Sequence, residues 1–203
     1  MRLTILILAA SLCGVMGTST PCFAQDVQDA QDAEVAAKVR QIRDEMNRFA
    51  GKNAWNGVDR KYQQMITLTP NVSLEMHRLG AQAARMLGKT YEMYTRLGNI
   101  TRLGSDTTVQ QEISALESSY GRVRILGNIR WTVVLSRPSM PFLPDQKSSV
   151  KYAIDELANT GSFEGMIPVG KYLIGEREVV VEAGKEWQEV EVNKSDVSQV
   201  QGL

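Results

Sequence analysis

The hydrophobic residues of this chain change their spacing near Tyr120, and that change limits the folds open to it. Before Tyr120 the apolar residues recur at steps of three and four, which places them on one face of a helix. After it they alternate with polar residues, as Val123 and Ile125 do with Arg122 and Arg124, which is typical of a half-buried strand. The spacing therefore predicts an α+β fold, with antiparallel helical hairpins followed by a small β-sandwich.

The first part is predicted to hold five helices. Breaks fall at Gly51, Pro70, Gly88, residues 104–106 and Gly121. Each helix carries an apolar stripe that suits the buried face of an antiparallel pair. The stripes are Val35, Val39, Ile42, Met46 and Phe49; Trp55, Val58, Tyr62, Met65 and Ile66; Met76, Leu79, Ala83, Met86 and Leu87; Met93, Tyr94, Leu97 and Ile100; and Val109, Ile113 and Leu116.

The second part is predicted to consist of strands with one inserted helix. The alternating segments 121–126 and 129–135 flank a Gly-Asn turn signal, so we expect them to form a hairpin. Residues 146–159 predict the helix, and short strands separated by turn residues follow between residues 163 and 192. The buried face of the helix is expected to be Val150, Ala153, Ile154 and Leu157.

The first 24 residues are typical of a cleavable signal peptide. Arg2 precedes the apolar run 3–15, which is too short for a stable membrane span, and the spacing of small residues favours cleavage after Ala24. We therefore expect an exported, periplasmic protein, with a secreted or outer-surface location, or an uncleaved anchor, as alternatives. Cys13 and Cys22 both lie in this leader, so the mature chain would fold without disulfides.

Four segments result from this division: signal peptide 1–24, helical domain 25–120, β-sandwich domain 121–193 and a disordered polar tail 194–203. Loss of the leader removes one basic residue, Arg2, and changes the formal net charge from 0 to −1. A chain that is almost neutral and has no basic run lacks the footprint of a nucleic-acid-binding protein. After the leader, no apolar stretch reaches the length of a transmembrane helix.

The segment HRLGAQAARMLGKTYEMYTRL, residues 77–97, resembles a tetratricopeptide-type helical hairpin. Leu79-Gly80 and Ala83 stand where the first helix of that repeat carries Leu-Gly and a small or aromatic residue. A plain helical bundle is the alternative, because no 34-residue period is present.

The segment GSFEGMIPVGKYLI, residues 161–174, and the strand pattern after it are similar to transthyretin-like modules, the carboxypeptidase regulatory-like and PEGA families. The similarity lies in Gly161, Phe163, the turn Ile167-Pro168-Val169-Gly170-Lys171-Tyr172 and Gly184. It implies a small extracytoplasmic β-sandwich that serves as a spacer or binding module, usually without catalysis.

Residue types restrict the chemistry. His77 is the only histidine, which excludes sites built on several histidines, and loss of the leader removes every thiol. Asp155, Glu156, Glu164 and Glu176 could serve a carboxylate-only hydrolase, but Asp155 and Glu156 fall on the polar side of an amphipathic helix, which favours a solvated face. We therefore predict no catalytic residues, metal site or cofactor. The three Arg-Leu-Gly triplets lack phosphate-loop spacing, and we interpret their glycines as helix ends.

Three residues are candidates for binding a partner: Met140, Phe142 and Trp187. Trp187 alternates with Glu189 and Glu191, so it is expected on the outer face of its strand, while Trp55 and Trp131 lie on apolar stripes. Met140 and Phe142 belong to the proline-rich loop MPFLP. Our leading hypothesis is a non-enzymatic envelope protein that binds another envelope protein as an adaptor or structural module. A carbohydrate- or peptidoglycan-binding module is the main alternative.

Overall fold

A computed structural model describes residues 22–104, 106–127, 135–136, 143–174 and 177–192, with residues 22–30 as backbone. It confirms the α+β class, with helices first and a small two-sheet β part after them. Parts of the sequence predictions lie outside the described residues, including residues 1–21 of the predicted signal peptide, the tail 194–203, Trp131 and Glu176. None of the helices in the described part of the chain combines the length and apolar character that a membrane span requires.

Five helices form the first part, and each packs on the next one along the chain. Short connections between them force neighbours to run in opposite directions. Ser73 caps the third helix by accepting a hydrogen bond from the Met76 N–H, and Asp106 caps the fifth through Thr108 and Val109. The helices are α1 (Cys22–Ala50), α2 (Trp55–Leu68), α3 (Leu74–Met86), α4 (Thr90–Leu103) and α5 (Thr107–Ser119).

The apolar stripes predict most of the helical core, with two exceptions. Val58, Tyr62 and Met65 are buried against α1 and α3 as expected. Ile66 and Met86, which the stripes place inside, are 40% and 53% exposed. Both lie at the edge of a stripe, where the curvature of the helix turns the side chain away from its neighbour.

A charged network is buried between α2, α3 and α4. The Arg96 guanidinium donates to Asp59 Oδ1 and to the Gly80 carbonyl, each at 2.6 Å, while Lys89 Nζ donates to Asp59 Oδ2 at 2.8 Å. Burial by itself would raise the pKa of Asp59, but the bonds from Lys89 and Arg96 outweigh it and lower that pKa. Arg96 also lies over the Tyr62 ring, 4.4 Å from its centre.

The interpretation of the Arg-Leu-Gly glycines as helix ends is wrong for Gly80 and Gly98. Gly80 lies inside α3 and Gly98 inside α4, and only Gly104 ends a helix. A Cβ atom on Gly80 would lie 2.5 Å from the Tyr62 ring, so this glycine lets α2 approach α3.

Two three-stranded sheets and one helix make up the second part. The sheet orders are β3-β1-β6 and β2-β4-β5, and the helix α6 packs against β3. Their facing side chains form one apolar core, which includes Ile125, Leu157 and Tyr172. Ile154, predicted on the buried face of α6, is 40% exposed. The elements are β1 (Tyr120–Leu126), β2 (Leu135–Ser136), α6 (Pro144–Thr160), β3 (Ser162–Pro168), β4 (Gly170–Ile174), β5 (Arg177–Val181) and β6 (Trp187–Glu191).

The predicted hairpin between residues 121–126 and 129–135 is wrong. β1 pairs antiparallel with β3 on one edge and parallel with β6 on the other, so both of its edges are filled. β2 pairs with β4 in the other sheet. Alternation identifies the buried face of a strand but not the strands that pair with it. The two strands that pair with β1 come about 40 and 65 residues further along the chain, since Arg124 lies opposite Glu164 in one and opposite Glu189 in the other.

The helical and β parts join without a linker, because α5 ends at Ser119 and β1 begins at Tyr120. This is the point at which the sequence predicted the change of period. Tyr120 and Met166 pack into the same apolar cluster as Met93 and Leu97 of α4. The two parts therefore share buried surface.

Candidate functional site

A groove runs between α3 and α5, with α4 as its floor. It consists of two concavities of about 510 and 400 Å³ that share Arg85, Met93 and Glu112 as lining residues. The larger is lined by Ala81, Leu97, Ile100 and Val109, and the smaller by Leu116 and Tyr120. An apolar floor of this extent can accept side chains from a ligand. We call it the α3–α5 groove.

The two rims of the α3–α5 groove carry opposite charges. Arg78 and Arg85 line the α3 side, and Asp106 and Glu112 line the α5 side. Arg78 Nη2 lies 2.5 Å from Asp106 Oδ2, and Arg85 pairs with Glu112. The hydrogen bond from the Val109 N–H, together with that from Arg78, holds the pKa of Asp106 below its usual value, so this carboxylate stays ionised at neutral pH.

Exposed apolar side chains lie at both concavities. Met86 borders the larger one, and Leu143, which is 68% exposed, borders the smaller one beside Pro144. Leu143 and Pro144 are the last residues of the proline-rich loop singled out in the sequence. Met140 and Phe142 of that loop lie outside the described residues.

Trp187 lies on the outer face of β6, as its alternation with Glu189 predicts, and is partly buried. The Tyr91 ring of α4 meets it edge-on with centroids 5.1 Å apart, and the Arg124 guanidinium lies 5.3 Å from its centre. Arg122 lies over Tyr91 and Tyr94 in the same way. These contacts connect the β3-β1-β6 sheet to α4. The structure does not bring Trp187 to the α3–α5 groove.

The candidate residues for catalysis are dispersed. His77 is buried in α3 with its Nδ1 2.8 Å from the Tyr62 hydroxyl, and burial lowers its pKa. Asp155 pairs with Lys151 on α6, whereas Glu164 pairs with Arg124 on the sheet. Among the residues that the structure describes, no group of three or more His, Cys, Asp or Glu side chains could hold a metal ion.

Sequence reasoning missed the four charged rim residues of the groove. One signal was available, since Arg78 and Arg85 are seven residues apart and therefore share a helix face. Which helix that face meets depends on the packing of α5, and the sequence pattern does not contain this information.

Comparison with known proteins finds no family model, no curated protein and no solved structure that matches the chain. The resemblances to tetratricopeptide hairpins and to transthyretin-like modules accordingly stay predictions.

Proposed function

We propose that the protein is a non-enzymatic, exported envelope protein that acts as an adaptor and binds a segment of another envelope protein in the α3–α5 groove. One observation carries this proposal: an apolar floor lies between a basic rim and an acidic rim. The export part rests on the signal-peptide pattern of residues 1–24.

Rim charges define the chemistry of the partner segment. Its apolar side chains would contact Met93 and Leu97 on the floor. Acidic residues on one flank would pair with Arg78 and Arg85, and basic residues on the other flank with the α5 rim, in exchange for the ion pairs that join the two rims in the unbound protein. This arrangement favours an amphipathic segment bound in a single orientation.

Site-specific crosslinking in the native envelope tests the proposal. A photo-crosslinking amino acid replaces Gln82, an exposed residue that lines the groove, and in a matched control it replaces Glu186, an exposed residue next to β6. We expect a discrete crosslinked protein from position 82 and none of the same size from position 186. Absence of a crosslink specific to position 82 would contradict the proposal.

A charge swap separates recognition from folding. Arg85→Glu combined with Glu112→Arg keeps an opposite-charge pair but reverses its polarity, while Arg78 and Asp106 keep theirs, so each rim then carries both signs of charge. We expect the crosslink from position 82 to weaken at least tenfold while the fold is retained. If the swapped protein crosslinks like the wild type, the rims do not select the partner.

A carbohydrate- or peptidoglycan-binding module is the second candidate, supported by the cluster of Trp187, Tyr91 and Tyr94. Aromatic rings of this kind can stack on sugars. Retention on purified cell wall would then fall in Trp187→Ala, and unchanged retention would contradict this role.

A further inference from the structure

A separate concavity, of about 280 Å³, lies on another side of the helical part. It is formed by the end of α2, the connection 69–73, α3 and the end of α4. Its volume is just below the range of about 300–1,000 Å³ that is typical of sites for drug-sized ligands. We call it the His77 pocket.

One buried hydrogen bond at the back of this pocket determines where the His77 ring carries its proton. Tyr62 is 1% exposed, and its hydroxyl forms a hydrogen bond with His77 Nδ1, at 2.8 Å. A buried hydroxyl needs an acceptor, so we assign the Tyr62 O–H as the donor to that nitrogen. The neutral imidazole consequently carries its proton on Nε2.

His77 Nε2 is a donor without a partner among the described residues. The side chain is 7% exposed and lines the pocket, and Nδ1 is already engaged by Tyr62. Burial lowers the pKa of His77, which keeps the ring neutral at pH 7. An N–H at the wall of a cavity that has no acceptor from the protein is available to an acceptor from a ligand or from water.

The mouth of the pocket is apolar and its charge is positive. Ile66 and Leu103, 40% and 58% exposed, flank it with Pro70. Arg102 lies beside them on the last turn of α4, and no carboxylate is among the described residues that line the pocket. Ile66, which the apolar stripe predicted to be buried, is thus exposed at the mouth of this pocket.

We propose that the His77 pocket binds a carboxylate carried on a short branched aliphatic group. The carboxylate would accept hydrogen bonds from His77 Nε2 and from the Arg102 guanidinium. The aliphatic group would cover Ile66 and Leu103. Such a ligand could be a free short-chain acid or the carboxyl-terminal residue of a peptide.

The single histidine makes the test site-specific. In the untagged chain with ¹³C-labelled histidine, one Cε1–Hε1 signal reports on His77. We expect 4-methylpentanoate to shift this signal saturably, with half-saturation at or below about 1 mM, and to raise the pKa of His77 because an anion then faces the ring. The uncharged 4-methylpentanamide should bind at least tenfold more weakly.

Variants and a peptide complete the experiment. Arg102→Gln should weaken binding of 4-methylpentanoate at least tenfold, whereas Arg60→Gln, an exposed arginine of α2 outside the pocket, should leave it unchanged. Tighter binding of N-acetyl-Gly-Leu than of 4-methylpentanoate would assign the site to a peptide terminus, and the reverse order to a free acid. The proposal is overturned if no saturable shift occurs, if acid and amide bind equally, or if the two arginine variants behave alike. The charge swap in the α3–α5 groove does not touch this pocket, so the two proposals fail independently.

Discussion

The helical part and the β-sandwich bury different kinds of side chain. Among the described residues, four of the five buried polar side chains, Asp59, His77, Thr90 and Arg96, lie in the helical part. The core of the sandwich is formed by apolar residues, with Ser149 of α6 bonded to the Met166 carbonyl at its margin. The helices are therefore positioned by a buried charged network in addition to packing. The sandwich relies mainly on the fit of apolar surfaces, with the Tyr172 hydroxyl donating to the Pro168 carbonyl inside it.

Removing the buried arginine tests this difference between the two parts most directly. Arg96→Met should destabilise the protein by about 4 kcal/mol, because Asp59 loses its closest cation and the Gly80 carbonyl loses its donor. The free energy of unfolding in urea measures the effect.

Arg124→Met in the sheet is the matched control. Arg124 pairs with Glu164 and Glu189 on the partly exposed outer face, where ion pairs contribute about 0–1 kcal/mol. Equal losses for the two variants would show that burial of the charged network does not distinguish the helical part.

The junction between the two parts offers a second test with two glycines. Gly88 has a φ of 73°, and a Cβ atom there would lie 2.2 Å from the Ser148 carbonyl oxygen of α6. Gly88→Ala should therefore cost about 2 kcal/mol or more, from backbone strain and from separation of the two parts. Thermal unfolding of the variant measures this loss.

Gly98→Ala is the control for the same substitution within a helix. No heavy atom lies within 4 Å of a Cβ placed on Gly98, so the replacement should stabilise α4 by about 0.5–1 kcal/mol. If Gly88→Ala is as harmless as Gly98→Ala, then the turn between α3 and α4 does not lie as close to Ser148 of α6 as the structure shows.

The pH dependence of stability provides a third test, because it reports on the buried His77 of the helical part. The pKa of folded His77 is lowered by burial from its ordinary value of 6.5, so the unfolded chain takes up the proton first as the pH falls below about 6.5. Stability is thus fully present above that pH and is lost at lower pH, by up to about 1.4 kcal/mol per pH unit. Asp59 stays ionised throughout this range, because its pKa lies below 3.8.

Unfolding in urea at pH 7.5, 6.5 and 5.5, with His77→Gln as the comparison, isolates the contribution of His77 to the pH dependence of stability. The substituted glutamine would keep a polar contact to Tyr62 but cannot titrate, so the stability of this variant should change less between pH 7.5 and 5.5. The same slope in both proteins would rule out His77 as the source.

The sequence predicted the parts of the fold that local pattern controls. The stripes containing Val58, Tyr62 and Met65 place the helical core, and the turn at Gly88 separates α3 from α4. The partner of β1 and the burial of Arg96 were not predictable in this way. Both depend on residues far along the chain, and Arg96 meets Asp59, 37 positions earlier, only after three helices have packed.

The candidate sites follow the same division. Exposure of Ile66 and Met86, which the stripes place inside, marks the mouths of two concavities. A periodic pattern assigns a face to each helix, but a groove arises from the gap between helices. Its rims therefore become visible only in three dimensions.

The smallest expected effect concerns how the two sheets of the sandwich are held together at one side. Gln188 of β6 accepts a hydrogen bond from the Glu182 N–H at 3.0 Å, and its side-chain N–H₂ lies 3.4 Å from the Val180 carbonyl at the end of β5. Gln188→Met keeps the length of the side chain and removes both contacts. We expect a loss of about 0.5–1 kcal/mol in urea unfolding, because water can reach the exposed Glu182 N–H and replace the glutamine. A loss above about 2 kcal/mol would mean that these groups are cut off from water. The sandwich would then depend on buried polar contacts beyond those of Ser149 and Tyr172, and the difference between the two parts would be one of degree.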